Sequence, residues 1–319
     1  MMVFGLPLVA ILVTLMPATV SADGVLSWKR VPQSLTRATL TDVLFTDTRT
    51  GYACADDSII IRTTDGGKKW AQVFRGTTGW QRLAAEGRNV IAAGLGTVTL
   101  SDDGGATFHE SRVPVKVSLN GAAVDSAGGA WVCGMSGAVF YSSDRGANWE
   151  SRGPARPDPL FCIAVTPSGS VVSGGLRGLW LRDPAGKWAP AFGSSTMRFR
   201  DVVRGSGEGA WLLGRKRNLV TLWSCSDVMG GCREFASLDS DDADLARMAV
   251  GAGETIWLAG HGPALGRTGG GTRVIRQEDL PGFRGDTRGI CVAPDGAVWV
   301  SGGKGQLFRG EAAKPPESK

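Results

Sequence analysis

Four arginines stand at or beside the start of a short apolar run. They are Arg82 in Gln81-Arg82-Leu83, Arg200 in Phe199-Arg200-Asp201, Arg247 in Ala246-Arg247-Met248 and Arg288 in Thr287-Arg288-Gly289. A guanidinium is a planar fork of donors that matches a carboxylate or phosphate. Several forks around one site would hold an acidic group by charge-assisted bonds. Asp42 and Asp201 occur in the same local setting. Because an unpartnered buried charge is costly, these residues would equally serve as structural ion pairs. Both readings stand on the sequence alone.

A second set of residues does turn chemistry. The segments are Thr63-Thr64-Asp65-Gly66-Gly67-Lys68-Lys69-Trp70, Ser101-Asp102-Asp103-Gly104-Gly105-Ala106-Thr107-Phe108 and Ser142-Ser143-Asp144-Arg145-Gly146-Ala147-Asn148-Trp149. All three fit the Asp-box pattern S/T-x-D-x-G-x-x-aromatic. The carboxylates of Asp65, Asp103 and Asp144 accept bonds from the turn's own backbone. Gly67, Gly105 and Gly146 permit positive φ. Trp70, Phe108 and Trp149 pack on the sheet. A degenerate copy, Asp183-Pro184-Ala185-Gly186-Lys187-Trp188, keeps the turn and the tryptophan.

These residues must be positioned by a repeat. A short apolar strand ending in a small residue recurs at Gly51–Ala55, Asn89–Gly94, Ala130–Gly134, Ser170–Gly174, Ala210–Gly214, Ile256–Gly260 and Val298–Gly302. The period is about 40 residues, the length of one four-stranded propeller blade. Another apolar strand precedes each by about ten residues, as in Leu40–Phe45 and Phe199–Val203, and would line a central channel. The spacing therefore predicts an all-β, seven-bladed β-propeller over residues 23–311. Its last copy stops after Gln306–Arg309, and Leu26–Pro32 resembles the missing outer strand, so the N-terminal strand is expected to complete the last blade and close the ring. In such a ring the four arginines converge on one channel mouth.

The ends and the composition narrow the setting. Val3–Leu15 is a short apolar run broken by Pro17, and Val20-Ser21-Ala22 is a small-residue cleavage pattern. Residues 1–22 are expected to be an export signal cleaved after Ala22, which gives a periplasmic or extracellular protein. Residues 312–319 read as a polar, disordered tail. Of the 6 cysteines, Cys225 and Cys232 are close enough for a local disulfide, while Cys54, Cys133, Cys162 and Cys291 lie in apolar runs as small buried residues. No cysteine or histidine spacing fits zinc. The formal charge is +5, which favours acidic partners. No cofactor, metal or nucleic-acid partner is expected, and the chain is expected to be a monomer.

The segment Leu40–Val73, with Gly51-Tyr52 followed by the first Asp box, resembles the photosystem II stability/assembly factor family. That resemblance implies an Asp-box seven-bladed propeller. Family members in plants and cyanobacteria assist assembly of a membrane reaction centre by binding a newly made subunit. The implied function is a non-catalytic scaffold that binds a protein client, a subunit of a membrane complex, and the converging Arg82, Arg200, Arg247 and Arg288 would hold an acidic or C-terminal segment of it. The alternative is a sialidase-like glycoside hydrolase or a carbohydrate-binding propeller, since Asp boxes occur in sialidases. Sialidase chemistry needs an arginine cluster, a tyrosine nucleophile and an acid/base carboxylate. The 2 tyrosines, Tyr52 and Tyr141, lie within a second strand and beside an Asp box, away from the expected mouth.

Overall fold

The structure, a computed structural model, describes residues 26–193, 196–205, 207–227, 231–239, 245–261, 265–268 and 275–312. The expected signal with its cleavage site, all but the first residue of the acidic run 239–244, the glycine run Gly269-Gly270-Gly271 and the tail beyond Ala312 lie outside the described residues.

Seven antiparallel sheets of four strands follow one another along the chain. Blade one comprises Leu40–Phe45, Gly51–Ala55, Ile59–Thr63 and Ala71–Arg75. The innermost strands of the next five blades are Trp80–Glu86, Leu119–Val124, Leu160–Val165, Met197–Arg204 and Leu245–Val250. Blade seven holds Thr287–Val292, Val298–Gly302 and Gln306–Ala312. Each innermost strand contacts that of the next blade, and the strand of blade seven contacts that of blade one. The chain is thus a seven-bladed β-propeller.

The fourth strand of blade seven is Leu26–Arg30, which pairs antiparallel with Gln306–Ala312 from Leu26 opposite Ala312 to Arg30 opposite Phe308. Leu26 is buried with Trp257, Phe283 and Phe308, and Trp28 meets Trp257 edge to face at 6.0 Å. The N-terminal closure expected from the sequence is consistent with this pairing.

The core lies between neighbouring blades. Tyr52, Cys54 and Ile60 of blade one pack on Trp80, Leu83 and Val90 of blade two. Leu40, Ile59 and Ile61 pack on Trp299 and Leu307 of blade seven. Middle strands are therefore covered on both faces, and every residue of Gly51–Ala55 and Ala130–Gly134 is buried. This explains why the sequence shows continuous apolar runs there instead of alternation.

Candidate functional site

All seven innermost strands share one irregularity. The register slips by one residue between Leu40 and Asp42, Trp80 and Arg82, Leu119 and Gly121, Leu160 and Cys162, Phe199 and Asp201, Leu245 and Arg247, and Thr287 and Gly289. A β-bulge of this kind leaves one residue unpaired and re-aims its side chain. The bulged residues are Thr41, Gln81, Asn120, Phe161, Arg200, Ala246 and Arg288, and all seven line one cavity of about 410 Å³ at the channel mouth. Some also stitch the ring. Thr41 Oγ1 donates to the Trp80 carbonyl at 2.8 Å, and Asn120 Nδ2 to that of Leu160 at 3.0 Å.

The residues one step further form a second, deeper ring: Asp42, Arg82, Gly121, Cys162, Asp201, Arg247 and Gly289. Its two acids and two arginines balance. Asp201 is fully buried and accepts from Val202 N–H at 3.1 Å, Met248 N–H at 2.9 Å and Arg82 Nη2 at 2.8 Å. Asp42 repeats the pattern with Val43 and Leu83 N–H at 3.0 and 2.9 Å, and Arg82 Nε is 3.7 Å away. Each of these aspartates therefore ties its own strand to the innermost strand of the next blade. Burial raises the Asp42 carboxyl above the ordinary range, with Arg82 and Arg247 opposing the rise. Burial also works against the charge on Arg82, but Asp201 and then Asp42 outweigh it and hold its pKa above the usual arginine value. Burial and the Arg82 charge lower that of Arg247, with Asp201 and Asp42 in opposition.

The four arginines therefore do not occupy one equivalent place. Arg200 and Arg288 are bulge residues at the mouth. Arg82 and Arg247 belong to the deeper ring, from which Arg247 still reaches the cavity and Arg82 does not. Arg82, with 18% of its side chain accessible, is bound to two carboxylates. Arg200 lies over the Phe161 ring at 5.3 Å. Arg288 Nη2 bonds Asp286 at 2.8 Å, and His261 Nδ1 is 3.4 Å from the same carboxylate. Thr39, Asp56 and His261 complete the lining of the cavity. The bulge puts Thr41, Gln81, Asn120 and Phe161 in the same cavity as Arg200 and Arg288.

The three Asp boxes join third to fourth strands on the opposite face. Asp103 accepts N–H bonds from Ala106 and Thr107 at 2.9 and 3.0 Å, and Asp65 and Asp144 accept from Lys69 and Asn148 at 2.9 Å. These bonds hold all three carboxyls below the ordinary range, Asp144 at about 2. Gly67, Gly105 and Gly146 have φ of 83°, 73° and 82°. They also face the preceding blade, since a Cβ would overlap Trp299 at Gly67, Tyr52 at Gly105 and Leu100 at Gly146. Trp70, Phe108 and Trp149 immediately precede the outer strands instead of lying within them.

Tyr52 is buried and donates to the Gly104 carbonyl at 2.6 Å. Tyr141 packs against Trp131, tilted by 40° with centroids 4.5 Å apart, under Arg152. Neither lines the mouth cavity. Cys225 and Cys232 form a disulfide across facing positions of two paired strands. Cys54, Cys133, Cys162 and Cys291 are free thiols, the first three buried.

The fold is similar to those of several solved structures. A YCF48 bound to D1 peptide is 19% identical with a TM-score of 0.68, covering 89% of this chain and 94% of its own. YCF48 from Cyanidioschyzon merolae is 18% identical with a TM-score of 0.68, over 88% of this chain and 98% of its own. Selenomethionine-substituted virginiamycin B lyase from Staphylococcus aureus is 12% identical with a TM-score of 0.76, over 90% and 100%. Likeness at these identities concerns the fold alone. No curated protein matches the sequence. The sequence itself matches a family over residues 20–311, and on that ground the chain belongs to the photosynthesis system II assembly factor YCF48 family.

Proposed function

We propose that this chain is a non-catalytic propeller that holds an acidic or carboxylate-ended segment of a protein client at the channel mouth. The client is a subunit of a membrane complex, bound through Arg200, Arg288 and Arg247, with Arg82 fixing the ring beneath. The observation that carries the reading is the bulge, which turns Arg200 and Arg288 from two blades into the cavity that Arg247 also lines. Guanidinium forks there match a carboxylate in geometry and charge. A YCF48 of similar fold has been solved with a D1 peptide, in keeping with a peptide-binding role. The distance of both tyrosines from the mouth speaks against a sialidase-like site. Residues 1–22 would direct export to the periplasm or the exterior with cleavage after Ala22, and a Cys225–Cys232 disulfide suits an oxidising compartment. The protein would act as a monomer.

The test uses a synthetic peptide with a free C-terminal carboxylate and acidic last residues. Binding weakens as salt rises, and Arg200→Ala with Arg288→Ala reduces affinity while Tm stays within about 2 °C, because both side chains are only partly buried. Unchanged affinity in the folded double variant sinks the proposal. Retention on a glycan array that depends on the same arginines would replace the peptide by a carbohydrate.

A further inference from the structure

Four large apolar side chains are exposed among the described residues, and three of them share one place. Leu95, Val115 and Met135 are 45%, 42% and 40% accessible. All three sit around the linker from blade two to blade three. Leu95 forms an isolated bridge with Ser118, Met135 N–H donates to the Ser118 carbonyl at 2.9 Å, and Gly96 N–H to that of Val117 at 2.8 Å. Val115 is the ridge between two hollows. One, of about 350 Å³, is lined by Leu95, Thr97, Pro114 and Lys116. The other, of about 540 Å³, is lined by Val117, Phe140, Pro154 and Pro157.

This patch shares a face with the mouth cavity. Leu95 and Met135 occupy the turn between second and third strands, the place of Asp56 and His261 in blades one and six, both of which line the cavity. The same linker continues through Leu119 into Asn120, a cavity residue. Five residues of extended chain span at most about 17 Å. Exposed cations flank the patch. Arg112 and Lys116 edge the smaller hollow and Arg156 the larger. Among the described residues Arg112 and Lys116 make no ion pair.

We infer that Leu95, Val115 and Met135 form a second docking point for the client peptide, which takes aliphatic side chains about five residues from the acidic group held at the mouth. The inference rests on the cavity reading above and extends it from a charge to a two-point code. Aliphatic side chains exposed together in one cluster mark an interaction surface. The unpaired cations around them select an acidic neighbourhood, and the hollows on either side of Val115 accept individual side chains.

Two twelve-residue peptides decide the matter. Both end in two glutamates and a free carboxylate; one has a Leu-Val pair six and seven residues from the end, the other Ser-Ser. The intact protein binds the Leu-Val peptide about tenfold more tightly, as expected when two aliphatic side chains are only partly buried on an open surface. The Leu95→Ser, Val115→Ser double variant keeps its Tm, because both positions are exposed, and binds both peptides as the wild type binds the Ser-Ser one. Equal affinities of the wild type for both peptides, lost together in Arg200→Ala with Arg288→Ala, overturn the second docking point and leave the cavity reading standing. Binding that ignores the arginine substitutions overturns the cavity reading and the two-point code with it. Sedimentation with phosphatidylglycerol vesicles that the serine variant abolishes would assign the patch to a bilayer and also overturn the inference.

Discussion

Asp201 receives three donors in the middle of the molecule, and only one of them can be removed by substitution of a side chain. Arg82→Ala leaves two buried carboxylates without their nearest cation. The expected loss is about 3–5 kcal/mol, the cost of breaking a buried ion pair from one side, read from urea denaturation. The loss has a definite pH dependence. Burial already raises the Asp42 carboxyl and Arg82 opposes that rise, so without Arg82 it rises further in the folded state, protonation relieves its unpaired charge, and the deficit relative to wild type shrinks as pH falls from 7 to 5. A constant deficit over that range contradicts the arrangement. Arginine type and repeat position were both legible in the sequence; the split into two rings was not. A strand has a period of two, and the bulge inserts one residue at a point that no composition signal marks, so Arg200 and Arg82 looked equivalent until the register was seen.

Among the blades, the Asp-box turn joins neighbouring elements as well as two strands. Gly104 and Gly105 share a φ of 73°, yet nothing lies within 4 Å of a Cβ at Gly104, while one at Gly105 would overlap the Tyr52 ring of blade one. Alanine at Gly104 is expected to cost about 1–2 kcal/mol for the left-handed backbone alone. Alanine at Gly105 adds overpacking of about 1–3 kcal/mol. Equal midpoints in chemical denaturation would show that the blade contact is unimportant. The box carboxylates also set an acid limit. Their folded pKa values lie below the ordinary 3.8, so their contribution is complete above that value and is lost as pH falls through the lowered ones. Tm should therefore drop between about pH 4 and pH 2, and drop less in a variant carrying Asp65→Asn, Asp103→Asn and Asp144→Asn. The turns were readable because Asp, Gly and an aromatic at fixed offsets encode local geometry. The packing of each glycine on another blade was not, because the partner lies a whole repeat away.

At the scale of the ring, the seven repeats and the split last blade were visible in the sequence, since each blade repeats the same apolar runs and only the last lacks an outer strand. Deleting residues 23–33 removes Leu26 and Trp28 from the seam with Trp257 and Phe308. Thermal denaturation should show a lowered Tm for the whole molecule, and an unchanged Tm would mean that the pairing adds nothing. The seam has a kinetic side as well. Six blades are built from consecutive segments, but Leu26 must find Ala312 from almost the other end of the chain, and loop-closure entropy makes such a contact late and slow. Until it forms, Gln306–Ala312 offers an open edge with the same complementarity to the N-terminal strand of any copy nearby. Refolding at high protein concentration should accordingly yield strand-exchanged oligomers that dilution before refolding suppresses, each copy lending its first strand to a neighbour's seventh blade.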